Sequence, residues 1–314
     1  MTQFAAYHTS VLLSESVDAL CVRPDGTYVD VTFGGGGHSR EILRRLGPDG
    51  RLIAFDQDTD AVANAPDDSR LVVVRHNFRF LADFVDYIVQ GPVDGVLGDL
   101  GVSSHHFDDA ARGFSFKHEG PLDMRMNQGG KMSAADVVNG YDAAALAKVL
   151  GEWGEVDKPF RIVNAIVRSR DEAPIETTGR LRQIVEGVVR PDELNKTLTK
   201  VFQALRIEVN GEMEALDAML RGCAKVLKPG GRMVMIAYHS LEDRMVKNMM
   251  RSGDPQRAQA EQDAVYGSTS VPFVVSQRKP IVPGAAEVAA NPRSRSAKLR
   301  WAVRAEEEVG HGRR

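Results

Sequence analysis

The first hundred residues alternate between short apolar runs and amphipathic stretches. Val29, Val31 and Phe33 alternate with Asp30 and Thr32, which predicts a strand over 28–33. Four glycines follow at 34–37, and His38 and Ser39 then open a predicted helix. Its apolar positions Ile42, Leu43 and Leu46 run up to a stop at Gly47 and Pro48. The same grammar repeats with a strand over 51–55 ending in Asp56, a helix near 59–65 and a strand over 71–75. A helix around 81–89 leads to a strand over 95–97 that ends at Asp99. Strands alternating with helices predict a parallel sheet with right-handed crossovers. Ligands of such sheets sit at the carboxyl ends of the strands, where Asp30, Asp56 and Asp99 fall.

From about residue 105 to 200 the pattern changes to short amphipathic helices. Ser133 and Asp136 fit a capping box, Phe160, Ile162, Val163, Ile166 and Val167 make one apolar helical face, and Leu181, Ile184, Val185 and Val188 make another. A long helical region over 201–227 ends at Pro229, Gly230 and Gly231, and an apolar strand is predicted over 232–238. Later strands are predicted over 273–276 and 299–303, where Leu299, Trp301 and Val303 alternate with Arg300 and Ala302. The expected organisation is one α/β domain, residues 1–105 and 201–314, split by an all-helical insert at 106–200.

Composition narrows the function classes. A chain of 314 residues with 43% hydrophobic side chains can bury a real core, and its length fits two domains as readily as one. No stretch approaches the roughly 20 apolar residues of a membrane span, and residues 1–10 lack a basic segment followed by an apolar run. The expected location is therefore the cytoplasm. Cys21 and Cys223 fall on separate predicted helices without metal-ligand spacing, so packed thiols are expected in place of a disulfide or a metal site. With 40 Lys and Arg against 43 Asp and Glu, any nucleic-acid contact needs a local basic patch. Arg293, Arg295, Lys298, Arg300 and Arg304 form a run without an intervening acid, and Arg278 and Lys279 lie upstream; the alternative is a solvated face.

A strand running through glycines into a helix is the architecture of a nucleotide-type cofactor site. Glycine lets the backbone turn sharply, and the free amides of the helix start face the crevice. A flexible linker would not be flanked this tightly by a buried-type strand and an amphipathic helix. The dinucleotide fingerprint fails, because counting from Gly34 its third glycine is Ser39, and from Gly35 it is Arg40. Asp56 ends the next strand about 20 residues on, where a carboxylate can accept both hydroxyls of a ribose. It can also serve as a helix cap, a job equally open to Asp58 or Thr59. A cofactor without a pyrophosphate makes the third glycine dispensable, which points to S-adenosylmethionine and away from NAD.

Several long segments resemble one family. They are His8–Glu15, 28–39, 94–104, Arg112-Gly-Phe-Ser-Phe116, Pro121-Leu-Asp-Met-Arg-Met126, 202–210, His239-Ser-Leu-Glu-Asp-Arg244 and 291–300. Together they are similar to the bacterial small-subunit (16S) ribosomal RNA methyltransferases that methylate the 4-amino group of a cytidine in the decoding region. The resemblance covers nearly the whole chain in order and implies a class I methyltransferase sheet, mostly parallel and Rossmann-like, with an inserted helical substrate domain. It implies S-adenosylmethionine contacts at Gly36, Gly37 and His38, at Asp56 for the ribose, at Phe78 beside the adenine and at Asp99 near the adenine or methionine moiety. The last implied contact is His106, where the commoner Ser-Ser-Pro-Gln is Ser-Ser-His-His here, so an imidazole replaces an amide. A second departure is Asn195-Lys-Thr-Leu-Thr-Lys200, where many members have Pro-Ala-Thr-Arg before Phe202.

A cytosine amino nitrogen shares its lone pair with the ring and is a poor nucleophile until an acceptor draws on its N–H. Asp99 is the first candidate for that role, with cofactor contact as its equal alternative. The Asp-Leu-Gly-Val that follows its strand differs from the acid or amide, two prolines and an aromatic of many amino-group methyltransferases. His239, which directly follows the apolar strand, and His8 are the other catalytic candidates; residues 240–243 also read as a capping box. Asp123 and Arg125 form an internal ion pair or hold RNA. The expected partner is small-subunit ribosomal RNA within the small ribosomal subunit or its precursor, because an assembled particle avoids the few kcal/mol of unstacking a paired cytidine. The rival readings are a noncatalytic RNA-binding assembly factor that keeps a cofactor pocket, and a methyltransferase acting on DNA or protein.

Overall fold

Strands β1 (Thr27–Asp30), β2 (Arg51–Asp56), β3 (Leu71–Arg75), β4 (Val93–Asp99), β5 (Leu227–Ala237), β6 (Phe273–Val274) and β7 (Lys298–Arg304) join in one sheet. Their order is β3–β2–β1–β4–β5–β7–β6. The pairs from β3 through β5 are parallel, and β7 runs antiparallel to both β5 and β6. This is the mostly parallel class I methyltransferase sheet expected from the sequence. The computed structural model describes residues 10–101, 109–257, 271–275 and 277–306. The chain divides into two units, Met1–Gly101 with Met213–Arg314, and Val102–Glu212. Among the described residues no helix is long and apolar enough to cross a membrane.

The inner strands are apolar without interruption because both of their faces are covered. Leu52, Ile53, Ala54 and Phe55 of β2 are all buried. On one face, Leu97, Val234, Ile236 and Leu299 pack against Val17 and Leu20 of α1 (Leu13–Leu20) and Ile42 and Leu43 of α2 (Gly37–Arg45). Gly95 permits this approach, since a Cβ there would lie 2.7 Å from Leu20 Cδ1.

Two strand boundaries differ from the sequence pattern for local reasons. Regular β1 pairing stops at Asp30, whose Oδ1 accepts the Thr32 amide at 3.1 Å and bends the chain. Val31 and Phe33 stay buried and still donate to Leu97 and Phe55 carbonyls. β5 begins at Leu227, ahead of Pro229, Gly230 and Gly231. Its pairing jumps from Val93–Leu227 to Gly95–Arg232, with Gly230 at φ 78°, so these residues form a bulge inside the strand.

The second unit has its own core, in which Val137, Leu146, Leu150, Ile166, Leu181 and Leu198 come from five helices. Ser133 and Asp136 form the expected capping box. The return to the sheet unit lies at 212/213 and not at 200/201. Leu194–Asn210 is one continuous helix whose Leu198, Val201, Phe202 and Leu205 belong to the helical core, and it ends at Gly211 with φ 57°. The polar residues of segment 202–210 pin this unit together. Glu208 accepts from Tyr141 Oη and Trp153 Nε1, each at 2.8 Å. Asn210 donates to the Met124 carbonyl and accepts from the Met126 amide, and Arg206 grips Glu212 with two hydrogen bonds.

Leu97 is fully buried between β1 and β5. Leu97→Ala is expected to cost roughly 2–5 kcal/mol in reversible urea unfolding; a loss below about 1 kcal/mol would contradict this packing.

Candidate functional site

The parallel strands bring Asp30, Asp56 and Asp99 to one carboxyl edge, and Tyr238 and His239 follow β5 there. Between β1 and α2 the glycine turn is built by two left-handed residues, Gly34 at φ 51° and Gly36 at φ 74°. The Gly34 amide donates to Asp56 Oδ2 at 2.8 Å, and the Gly36 amide closes the turn on the Phe33 carbonyl at 2.7 Å. A Cβ on Gly37 would lie 1.9 Å from Ser10 Oγ and 3.1 Å from Ser10 Cβ, so a larger residue requires the serine side chain to turn away. α2 has no side-chain cap, which leaves its first-turn amides at Gly37 and His38 directed out of the helix end.

Asp30 anchors this turn from beneath. It is fully buried, and its Oδ2 accepts the Ser39 hydroxyl at 2.6 Å while Oδ1 accepts the Thr32 amide. Burial pushes its carboxyl above the usual range, against the opposing pull of the His38 imidazole and these hydrogen bonds. Thr32 Oγ1 in turn accepts the Asp99 amide at 2.6 Å. One polar chain thus runs from the first turn of α2 through Asp30 and Thr32 to the end of β4.

Asp99 is the most unusual group at the edge. Its Oδ1 is buried and has no hydrogen-bond partner among the described residues. The Tyr238 hydroxyl donates to the same carboxylate. Burial pushes the Asp99 carboxyl up; His38, the Tyr238 hydroxyl and the Gly101 amide oppose this, and Asp30 adds to it. The Tyr238 hydroxyl is itself raised by burial and by the Asp99 charge. A buried carboxylate oxygen without a donor is costly and suits a ligand N–H.

The other expected positions resolve individually. Both Asp56 oxygens are oriented by backbone amides, Oδ2 by Gly34 and Oδ1 by Asp58 at 2.9 Å. The His38 ring is buried and its Nε2 lies 3.2 Å from the Val11 carbonyl, so the imidazole fastens α2 to the start of α1. Phe78 opens a short 3-10 turn behind Asn77, which donates to Gln57 at 3.2 Å and so holds that turn next to the end of β2. His239 caps helix Ser240–Ser252, with its Nδ1 accepting the Glu242 amide at 3.5 Å and Glu242 Oε2 accepting the Tyr238 and His239 amides. The expected box at 240–243 is therefore shifted by one residue, because His239 and not Ser240 has the extended cap conformation. Its Nε2 lies 3.1 Å from Glu242 Oε1 without hydrogen-bond alignment. His8 and His106 lie outside the described residues.

Two charge features also take definite form. Asp123 and Arg125 make a two-pronged ion pair at 2.6 and 2.9 Å within the helical unit. The C-terminal basic run does meet an acid in space. Asp243 accepts from Arg300 at 2.7 and 3.1 Å and from Lys298 at 3.5 Å, and Arg304 donates to the Pro272 carbonyl. Sequence reasoning assigned no role to Ser39, Thr32 or Tyr238. The available signals were a hydroxyl in the first turn after the glycines and a tyrosine closing an apolar strand at the ligand edge.

The model of the MraW methylase family matches residues 5–305. Ribosomal RNA small subunit methyltransferase H of Bacteroides fragilis (strain YCH46) is 54% identical over 296 residues, covering 94% of this chain and 97% of that protein. The protein of the same name from Bacteroides thetaiotaomicron is 53% identical with the same coverage. That from Parabacteroides distasonis is 53% identical over 299 residues, covering 95% of this chain and 97% of its own. With a family model spanning nearly the full length and half-identical relatives aligned from end to end, this chain belongs to the MraW methylase family.

Proposed function

We propose that this chain is a methyltransferase that moves the methyl group of S-adenosylmethionine to the exocyclic 4-amino nitrogen of a cytidine in the decoding region of 16S ribosomal RNA, presented by the small ribosomal subunit or its precursor. The family assignment and the name shared by the curated relatives support methylation of small-subunit ribosomal RNA. The observation that carries the site chemistry is Asp99, whose Oδ1 is buried and unpartnered at the carboxyl edge beside the glycine turn.

The donor is S-adenosylmethionine, which supplies a methyl group already activated by its sulfonium. Gly36 and Gly37 give it a close backbone approach, with the His38 amide at the same helix end. Asp56 would receive the ribose and Phe78 would stand beside the adenine; the contact implied for His106 falls outside the described residues. Asp99 Oδ1 accepts an N–H at the reacting end. Drawing on the cytosine amino group frees the nitrogen lone pair to form the new N–C bond while the methyl–sulfur pair returns to sulfur. The surplus amino proton leaves to the carboxylate or to water. The Tyr238 hydroxyl and the Gly101 amide both favour the ionised form of this carboxylate. Positioning provides most of the acceleration for an in-line displacement, and an acceptor adds about 100- to 10,000-fold. His239 serves here chiefly as a cap, which fixes Tyr238 through Glu242. The helical insert is the substrate-recognition part of this assignment.

Transfer of labelled methyl from S-adenosylmethionine is expected to small ribosomal subunits and 16S RNA and not to DNA or protein, with the label recovered as N4-methylcytidine. Label on another base or macromolecule would contradict the assignment. Asp99 must be ionised to accept, and its carboxyl is raised, so turnover is expected to fall as pH drops through a value above the ordinary aspartate value of about 3.9. Asp99→Asn should lose about 100- to 10,000-fold in kcat together with that acid limb. If Asp99→Ala kept full turnover and full donor affinity, both roles given to Asp99 would be wrong.

A further inference from the structure

A shallow cleft on the sheet unit gathers Lys247, Met250 and Arg251 of helix Ser240–Ser252, Gln277 and Lys279, and Arg300 of β7. Lys247 and Arg251 sit four residues apart and share one helix face. Arg300 is met by Asp243, which it shares with Lys298. Lys247, Arg251 and Lys279 have no ion-pair partner among the described residues, in a chain whose formal net charge is -3. Met250, Val275 and Trp301 give the cleft an apolar lining, and its charged lining residues are all cations, which focuses the field and favours a flexible polyanion. Position adds a second argument. The helix that supplies Lys247 and Arg251 starts at His239, at the carboxyl edge of the sheet. At 1.5 Å per residue, these two cations stand about 12 and 18 Å along the helix from that edge. A strand of a few nucleotides spans this distance.

We infer that this cleft is a separate phosphate-binding subsite for RNA, which holds the strand a few nucleotides away from the methylated base. The inference rests on the function proposed above and adds contacts that the C-terminal basic run alone does not predict. Lys247 and Arg251 come from a helix outside that run, and Asp243 already compensates two of the run's cations.

The test compares Lys247→Gln/Arg251→Gln/Lys279→Gln with the charge-retaining Lys247→Arg/Arg251→Lys/Lys279→Arg. Binding of a 16S RNA fragment containing the decoding region is followed by anisotropy across a salt series. The neutralised variant is expected to bind more weakly, with the slope of log K against log salt smaller by about 2, at about 0.7 for each of three lost single-strand contacts. The charge-retaining variant should keep the wild-type slope, and calorimetry should give wild-type donor affinity for both. An unchanged slope in the neutralised variant, while the wild type still methylates small subunits, would remove the subsite and leave the proposed function standing. Equal weakening of both variants would make the role one of packing and overturn the inference. So would residue-dependent binding of phosphatidylserine vesicles without any effect on RNA. A wild-type protein that neither binds nor methylates RNA would remove the inference and the proposed function together.

Discussion

The hydrogen bond between the buried Asp30 carboxylate and the Ser39 hydroxyl, at 2.6 Å, is the contact on which the candidate site depends. A carboxylate without solvent is tolerated only when its oxygens are paired, and here one oxygen holds the first turn of α2 while the other holds the Thr32 amide. Glycines make the turn possible, but they cannot fix it, since their conformational freedom is large. Asp30 supplies the missing constraint. It converts four glycines into a turn of one shape, with Gly34 bound to Asp56 and Gly36 closed onto Phe33.

The same constraint reaches the reacting end. Thr32 accepts the Asp99 amide, so the end of β4 is placed relative to the glycine turn by a side chain rather than by sheet pairing alone. The Asp30 charge also raises the buried Asp99 carboxyl, and the His38 imidazole opposes the upward shift at both acids. Asp99 is therefore a poised acceptor: Tyr238 and the Gly101 amide favour its charge, and its Oδ1 has no hydrogen-bond partner among the described residues. Packing of His38 against Val11 and capping of Tyr238 by Glu242 keep these groups in place without placing further charges on Asp99 Oδ1.

Much of this was legible from residue order because strand and helix periods differ and strand ends carry acids. Asp56 and Asp99 fall at their strand ends as the pattern predicts. The helix at Leu81–Val89 and the strand at Lys298–Arg304 also follow from the spacing of apolar residues, whereas the antiparallel direction of that strand comes only from its pairing with β5 and β6. What stayed hidden depends on contacts between distant segments. Asp243 lies 57 residues from Arg300, so the basic run looked free of acids. The pattern predicts one helical region over 201–227 in the sheet domain, and only the buried face of helix Leu194–Asn210 shows that this helix begins earlier and belongs to the helical unit. Ser240 is the favoured cap by residue type, and His239 takes the position because of its extended backbone conformation, which has no one-residue signature. Segment 202–210 carries part of the family resemblance, and its Glu208 and Asn210 pair with other segments of their own unit.

The most direct test of the central claim is a carbon-13 titration of the Asp99 side-chain carboxyl in the donor-free protein, assigned with Asp99→Asn and repeated with S-adenosylmethionine. The account predicts a midpoint above the ordinary aspartate value of about 3.9, and a carboxyl resonance that moves when donor binds. A midpoint at the ordinary value, with a resonance that does not respond to donor, would contradict it.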